Sequence, residues 1–168
     1  MEWIVLIGAA LIIALVIKTF LFQAFYIPSE SMVPTLKVGD RVLVNKLSYD
    51  LHDVHRGDIV VFKAPPEASS DGIDDLVKRV VGLPGDTVEA RDDGRVYVND
   101  RRLEEPYLPD ATRTAEFPAT KVPAGHLFMM GDNRGASRDS RYFGPIAESA
   151  IIGRVFLRIW PPGSIGLM

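Results

Sequence analysis

With 168 residues and no cysteine, the chain is long enough for one core-bearing domain plus an appendage, and it has neither a disulfide framework nor a thiol nucleophile. Its 19 basic and 22 acidic residues leave a net charge of −3, so no bulk basic field draws it to nucleic acid. The 14 glycines and 12 prolines suit a protein of short strands and turns better than a helical one.

Residues 3–17 form an unbroken apolar run, and 19–27 continue it with Gln23 as a polar interruption and Lys18 between the halves. As one helix, residues 4–26 would rise roughly 34 Å, close to the hydrocarbon thickness of a bilayer. Trp3 and Tyr26 fall at the two ends, where aromatic belts lie, and Lys18 is near enough to one end to snorkel. A cleaved signal peptide would need a basic start and a small-residue exit; Glu2 and the bulky Phe22, Phe25 and Tyr26 stand there instead. The sequence therefore predicts a retained single-pass transmembrane helix in residues 1–27, followed by a second domain over 28–168, with orientation left open by the flanking charges.

Beyond the apolar run, residues 25–40 (FYIPSESMVPTLKVGD) form a proline-flanked turn that carries the hydroxyls of Ser29 and Ser31. Pro28 and Pro34 fix φ and push their predecessors toward extended geometry, which would aim a hydroxyl rather than let it wander. Residues 40–45 (DRVLVN), 58–63 (DIVVFK) and 76–81 (LVKRVV) read as strands by alternation and Val content. The stretch 64–75, with two adjacent prolines, reads as an exposed loop. Residues 87–91 and 95–99 flank Asp92-Asp93-Gly94, a hairpin signal. Residues 101–120, punctuated by Pro106, Pro109 and Pro118, read as an irregular excursion. Residues 121–130 lead into a strand, 131–141 form a polar turn, and 151–160 (IIGRVFLRIW) are the closing strand. No helical period follows residue 27, so the domain is expected to be mainly β: short, mostly antiparallel strands in a closed or nearly closed barrel-like sheet.

With cysteine absent, nucleophilic catalysis would need a serine or threonine and a base. His52 and His55 sit in a polar loop as solvated surface, and His126 reads as a turn residue, so no metal site and no histidine triad is located. Lys78 is the more interesting base. Alternation puts Leu76, Lys78 and Val80 on one face of its strand and Val77, Arg79 and Val81 on the other, which leaves open which face is inside. On the surface Lys78 would only solvate an edge. In an apolar pocket its pKa would fall, and a neutral amine near Ser31 would take the hydroxyl proton during attack on a carbonyl.

Residues 27–36 (IPSESMVPTL), 78–86 (KRVVGLPGD) and 131–144 (GDNRGASRDSRYFG) together resemble the boxes of bacterial type I signal peptidases, also called leader peptidases. The likeness spans the chain, from the apolar start through EPYL at 105–108 to GRVFLRIWP at 153–161. The resemblance implies a membrane-anchored serine endopeptidase that removes signal peptides from exported preproteins. It makes Ser31 the nucleophile and Lys78 the general base, with an acyl-enzyme between them. It makes Ser29 an oxyanion-hole hydroxyl beside the Ser31 N–H, and Ser137 the group that orients the Lys78 amine. Asp139 and Arg141 would be a buried ion pair supporting the site, and Asp132 and Asn133 would lie in a tight turn that delivers Ser137. Substrates would carry small residues at the first and third positions before the cut, received by pockets of Phe25, Ile27, Pro28, Met32, Leu36, Leu76 and Val77. The substrate would bind as an added extended strand beside residues 25–31 and 76–78.

The same resemblance places the catalytic domain on the extracytoplasmic side of the cytoplasmic membrane, with the lipid bilayer as partner and with Met32, Phe143 and Phe128 as candidates to dip into the interface. It implies no metal, no organic cofactor, no nucleic acid and no particular oligomer. Two departures stand out: Glu30 between the two serines, where glycine is usual in the family, and Gly135-Ala136 ahead of Ser137. Two other readings compete. A self-cleaving SOS-repressor-type protein shares the Ser/Lys pairing, but it would need a DNA-binding N-terminal region. A tethered β-domain without chemistry would leave Ser31 unlabelled by a serine-directed acylating inhibitor.

Overall fold

The computed structural model describes residues 3, 5–10, 21–69 and 74–168. Among the described residues there are twelve strands: β1 (Phe22–Tyr26), β2 (Arg41–Asn45), β3 (Ile59–Lys63), β4 (Asp75–Gly82), β5 (Thr87–Ala90), β6 (Val96–Val98), β7 (Arg101–Arg102), β8 (Phe117–Lys121), β9 (His126–Met130), β10 (Ile146–Ala147), β11 (Ile151–Trp160) and β12 (Gly166–Leu167). Two one-turn helices interrupt them, α1 (Ser48–Leu51) and α2 (Ser140–Phe143). The mainly β reading of the sequence is therefore what the chain adopts. Its larger sheet is open, however, with order β1-β2-β11-β3-β4-β9-β10 and β12 added beside β11. A second sheet, β7-β6-β5-β8, carries the hairpin expected at Asp92-Asp93-Gly94, where Gly94 takes φ of 73° and its N–H donates to the Arg91 carbonyl at 2.9 Å.

Two expectations are corrected at the N-terminus. Residues 3 and 5–10 are helical, and residues 11–20, the middle of the apolar run, lie outside the described residues. Phe22–Tyr26, which the transmembrane helix was to include, is instead strand β1, paired antiparallel with β2 from Phe22↔Asn45 to Tyr26↔Arg41. Among the described residues no helix is long and apolar enough to cross a membrane. The single-pass topology, and with it the localisation drawn from that helix, has no spanning element there. The physical reason is that an apolar run does not distinguish a helix from a strand, and here the free backbone groups of β2 capture the second half of the run. Met32 and Phe128, read as residues that dip into lipid, are 1% and 0% exposed and belong to the core.

Three apolar clusters hold the sheets together. Ile27, Met32, Leu36, Val42, Val44, Ile59, Val61 and Val155 pack the loop that carries Ser31 against β2, β3 and β11. Val60, Phe62, Val80, Leu127, Met129 and Ile146 fill the opposite face. Val81, Phe128 and Met130 from β4 and β9 meet Val88, Val96, Val98 and Val122 of the second sheet. Each such side chain is worth about 1.5–3 kcal/mol when fully buried, and β3, β4 and β9 each contribute to two clusters and so tie them together. Both faces of β4 are covered where the sequence left the choice open: Lys78 is 3% and Arg79 6% exposed.

Candidate active site

The loop after β1 is pinned before any chemistry is considered. Ile27 N–H donates to the Asp40 carbonyl and Gly39 N–H returns to Ile27, each at 2.9 Å, closing residues 27–40 into a compact turn. Met32 and Leu36, fully buried, draw that turn onto the first cluster. Ser31 is thereby held at 9% exposure, at the bottom of a cleft of about 450 Å3 between β1 and β4.

From β4, Lys78 reaches into the same cleft. Its Nζ lies 2.7 Å from Ser31 Oγ and 3.1 Å from the carbonyl of Val77. Burial lowers the Lys78 pKa from its ordinary value to about 8, against the pull of the Asp139 and Asp132 carboxylates, which raise it. A lysine this close to a serine hydroxyl, with a substantial neutral fraction at mildly alkaline pH, is chemically able to accept its proton. Ser29 Oγ is 3.3 Å from Ser31 Oγ, at the cleft rim.

The turn after β9 closes the site from the other side. Asn133 donates its N–H to the Ser31 carbonyl at 3.0 Å and its side-chain amide to the Glu30 carbonyl at 3.2 Å. Asp132 accepts Arg79 through both oxygens, at 2.8 and 2.6 Å, and Thr35 Oγ1 at 2.5 Å. That carboxylate thus ties the loop of Ser31 to the residue that follows Lys78. Asp139 is wholly buried, pairs with Arg141 at 2.8 Å, caps α2 and accepts the Gly131 N–H at 2.9 Å. Gly131 is the tightest point. A Cβ there would overlap the Ser137 hydroxyl and the Ser31 carbonyl. Ser137 is 6% exposed, and its Oγ has no hydrogen-bond partner among the described residues. It lies beside the Ser31 backbone, but the hydrogen bonds of Lys78 go to Ser31 and Val77 rather than to Ser137.

Of the residues read as substrate pockets, Phe25, Ile27, Pro28, Met32, Leu76 and Val77 line the cleft, and Leu36 does not; it is buried in the core behind Met32. The cleft also takes Asp74, Asp75 and Arg138, none of which the sequence had singled out, and Ala136, noted there only as a departure from the family pattern. β4 is paired with β3 along Asp75–Arg79, while β9 joins its other edge only at Arg79–Gly82. β1 has β2 on one side and ends the sheet. Two strand edges therefore flank the cleft.

Sequence reasoning also missed Thr35, Arg79, Glu105, Tyr107, Thr114 and Arg134. Arg134 is buried and bound by Glu105 and by Thr114 Oγ1, and Arg79 lies 3.8 Å over the Tyr107 ring. The usable signal was the adjacency of Lys78 and Arg79 in an alternating strand: if both faces are covered, a buried guanidinium demands carboxylate and aromatic partners from elsewhere.

Comparison with known proteins agrees with the sequence resemblance. A family model described as "Signal peptidase, peptidase S26" matches residues 1–160. A signal peptidase I of Leptolyngbya laminosa is 44% identical over 170 residues, covering 99% of this chain and 82% of that protein. A probable signal peptidase I-2 of Synechocystis is 42% identical over 160 residues, covering 95% and 72%. Among solved structures, a signal peptidase I from Enterococcus faecalis superposes with TM-score 0.51 at 33% identity, over 61% of this chain and 97% of that one.

Proposed function

The chain belongs to the signal peptidase I family, serine-type endopeptidases that act on the signal sequences of preproteins, and from that premise we propose that Ser31 and Lys78 make the cut. The observation that carries the proposal is the 2.7 Å separation of Lys78 Nζ and Ser31 Oγ, with the amine brought by burial to a pKa of about 8. Neutral Lys78 accepts the hydroxyl proton as Ser31 Oγ attacks the scissile carbonyl. The Ser29 hydroxyl and the Ser31 N–H receive the developing oxyanion, a donor of this kind being worth roughly 3 kcal/mol. Lys78 then returns the proton to the leaving amine, the new amino terminus of the mature protein. The acyl-enzyme is hydrolysed by a water that the neutral amine deprotonates in turn.

The preprotein enters as an extended segment against the unpaired edges of β1 and β4, so that main-chain bonds supply affinity independent of sequence. Phe25, Ile27, Pro28, Met32, Leu76 and Val77 surround the space for its side chains, and the apolar, shallow lining admits alanine at the first and third positions before the cut. Ser137, Asp132, Asn133, Asp139 and Arg141 keep the two reacting groups in register. The test is covalent labelling with a serine-directed acylating inhibitor, followed by peptide mapping. An adduct on Ser31 that disappears in Lys78→Ala supports the reading, whereas an adduct on another serine would end it.

A further inference from the structure

We propose that Glu105, in the excursion between β7 and β8, is a positioning residue of the reaction: through Arg134 it sets the place of Gly131, and with it the spacing of Ser31, Ser137 and Lys78. The inference rests on the Ser31/Lys78 reading above. Arg134 has a side chain 1% exposed, so its charge is answered by protein groups. Its Nη1 donates to Glu105 Oε2 at 3.1 Å and to Thr114 Oγ1 at 3.1 Å, and its Nη2 donates to Glu105 Oε1. The remaining nitrogen, Nε, donates to the Gly131 carbonyl at 3.1 Å. The fork of the guanidinium is rigid and planar, so fixing two of its nitrogens on Glu105 fixes where the third can hold Gly131.

Gly131 is also where displacement matters most. Its N–H is held by Asp139 at 2.9 Å, and its Cα stands against the Ser31 carbonyl and the Ser137 hydroxyl so closely that no Cβ fits. The carbonyl of Arg134 itself accepts Arg141 Nη1 at 2.8 Å, joining the same turn to the Asp139 pair. Glu105 additionally accepts the Tyr107 hydroxyl at 2.9 Å, and the Tyr107 ring covers Arg79, the residue after Lys78. One carboxylate outside the cleft thus bears on both walls of the site, which gives a role to a segment that carries no reacting group.

The experiment is steady-state cleavage by the full chain of a preprotein with alanine at the first and third positions before the cut. Glu105→Gln, Arg134→Gln, their double variant, Thr114→Val and Lys78→Ala are run beside wild type, each with its melting temperature. Glu105→Gln should lower kcat at least about tenfold with KM within about twofold, because a misplacement of an ångström in the reacting groups costs up to about a hundredfold. The double variant should lose no more than the worse single one, since both act through the same fork. Thr114→Val, which leaves the ion pair intact and removes one acceptor, should lose about threefold in kcat and decides the matter if Glu105→Gln does not fold. A folded Glu105→Gln with wild-type kcat, a loss confined to KM, losses that multiply in the double variant, or an unchanged kcat in Thr114→Val would each overturn the proposal. Cutting by folded Lys78→Ala would remove the dyad and this inference together; an inactive Lys78→Ala beside a fully active Glu105→Gln would remove this inference alone.

Discussion

The backbone N–H of Asn133 donates to the carbonyl of Ser31 at 3.0 Å, so the turn after β9 and the loop after β1 form one unit although they are about a hundred residues apart in the chain. The consequences are local and measurable, because this unit also contains Gly131, Asp132 and Asp139.

Gly131→Ala should cost activity before it costs the fold. The added Cβ overlaps the Ser137 hydroxyl and the Ser31 carbonyl, and the backbone carbonyl cannot swing away while Asn133 holds it. We expect kcat to fall about a hundredfold, with an overpacking loss of about 1–3 kcal/mol read from the shift of the urea midpoint.

Asp139→Asn should behave in the opposite proportion. It leaves the Arg141 guanidinium, whose side chain is 7% exposed, without its counter-charge and weakens the cap of α2. The expected loss is about 3–5 kcal/mol in denaturant unfolding at neutral pH. A variant as stable as wild type would show that the pair is neutral in energy.

Ser29→Ala tests the oxyanion assignment. Removing one donor should lower kcat by about 100-fold to 1000-fold with little change in KM, since the bond is made only when charge develops on the substrate. A change in KM alone would make Ser29 a substrate contact instead.

Lys78 makes a prediction about stability whose sign follows from its pKa. In the fold the pKa is lowered to about 8, below that of the unfolded chain, so between the two values the unfolded state binds more protons. Stability should rise as pH climbs from about 8 toward 10.5, while below about 8 the folded protein bears the full cost of a buried ammonium. Lys78→Met should therefore be inactive and yet more stable than wild type near pH 7, by up to about 3 kcal/mol, with the gap closing above pH 10. Thermal melts of the two proteins at pH 7 and pH 10 check both the sign and the closing.

Much of the fold was legible because its inner strands obey simple patterns. β2, β3, β4, β9 and β11 alternate or run apolar between glycine and proline stops, and the β5–β6 hairpin announces itself by Asp92-Asp93-Gly94. What was not legible is instructive in each case. β1 is apolar on both faces, with Phe22 and Phe25 half-buried and Ala24 and Tyr26 exposed, so its composition reads as a continuation of the helical run. β8 contains Pro118, which argues against a strand, and is accommodated because β8 ends its sheet with one edge unpaired. At the site, the boxes bring Ser31 and Lys78 to mind only through resemblance, since alternation left the orientation of Lys78 open. The partnership of Asp132 with Arg79 and of Glu105 with Arg134 joins residues 53 and 29 apart, and no local pattern carries such pairings. The turn at residues 131–133 was expected to deliver Ser137 to Lys78; the bonds it makes brace the loop of Ser31.

The measurement that bears most directly on the account is the pH dependence of kcat/KM for a preprotein with alanine at the first and third positions before the cut, with Ser31→Ala and Lys78→Ala as controls. The account predicts an acidic limb with a midpoint near pH 8, reporting deprotonation of Lys78, and no cutting by either variant at any pH. Persistent cutting by folded Lys78→Ala, with the same acidic limb, would mean that another group is the base and would contradict the account.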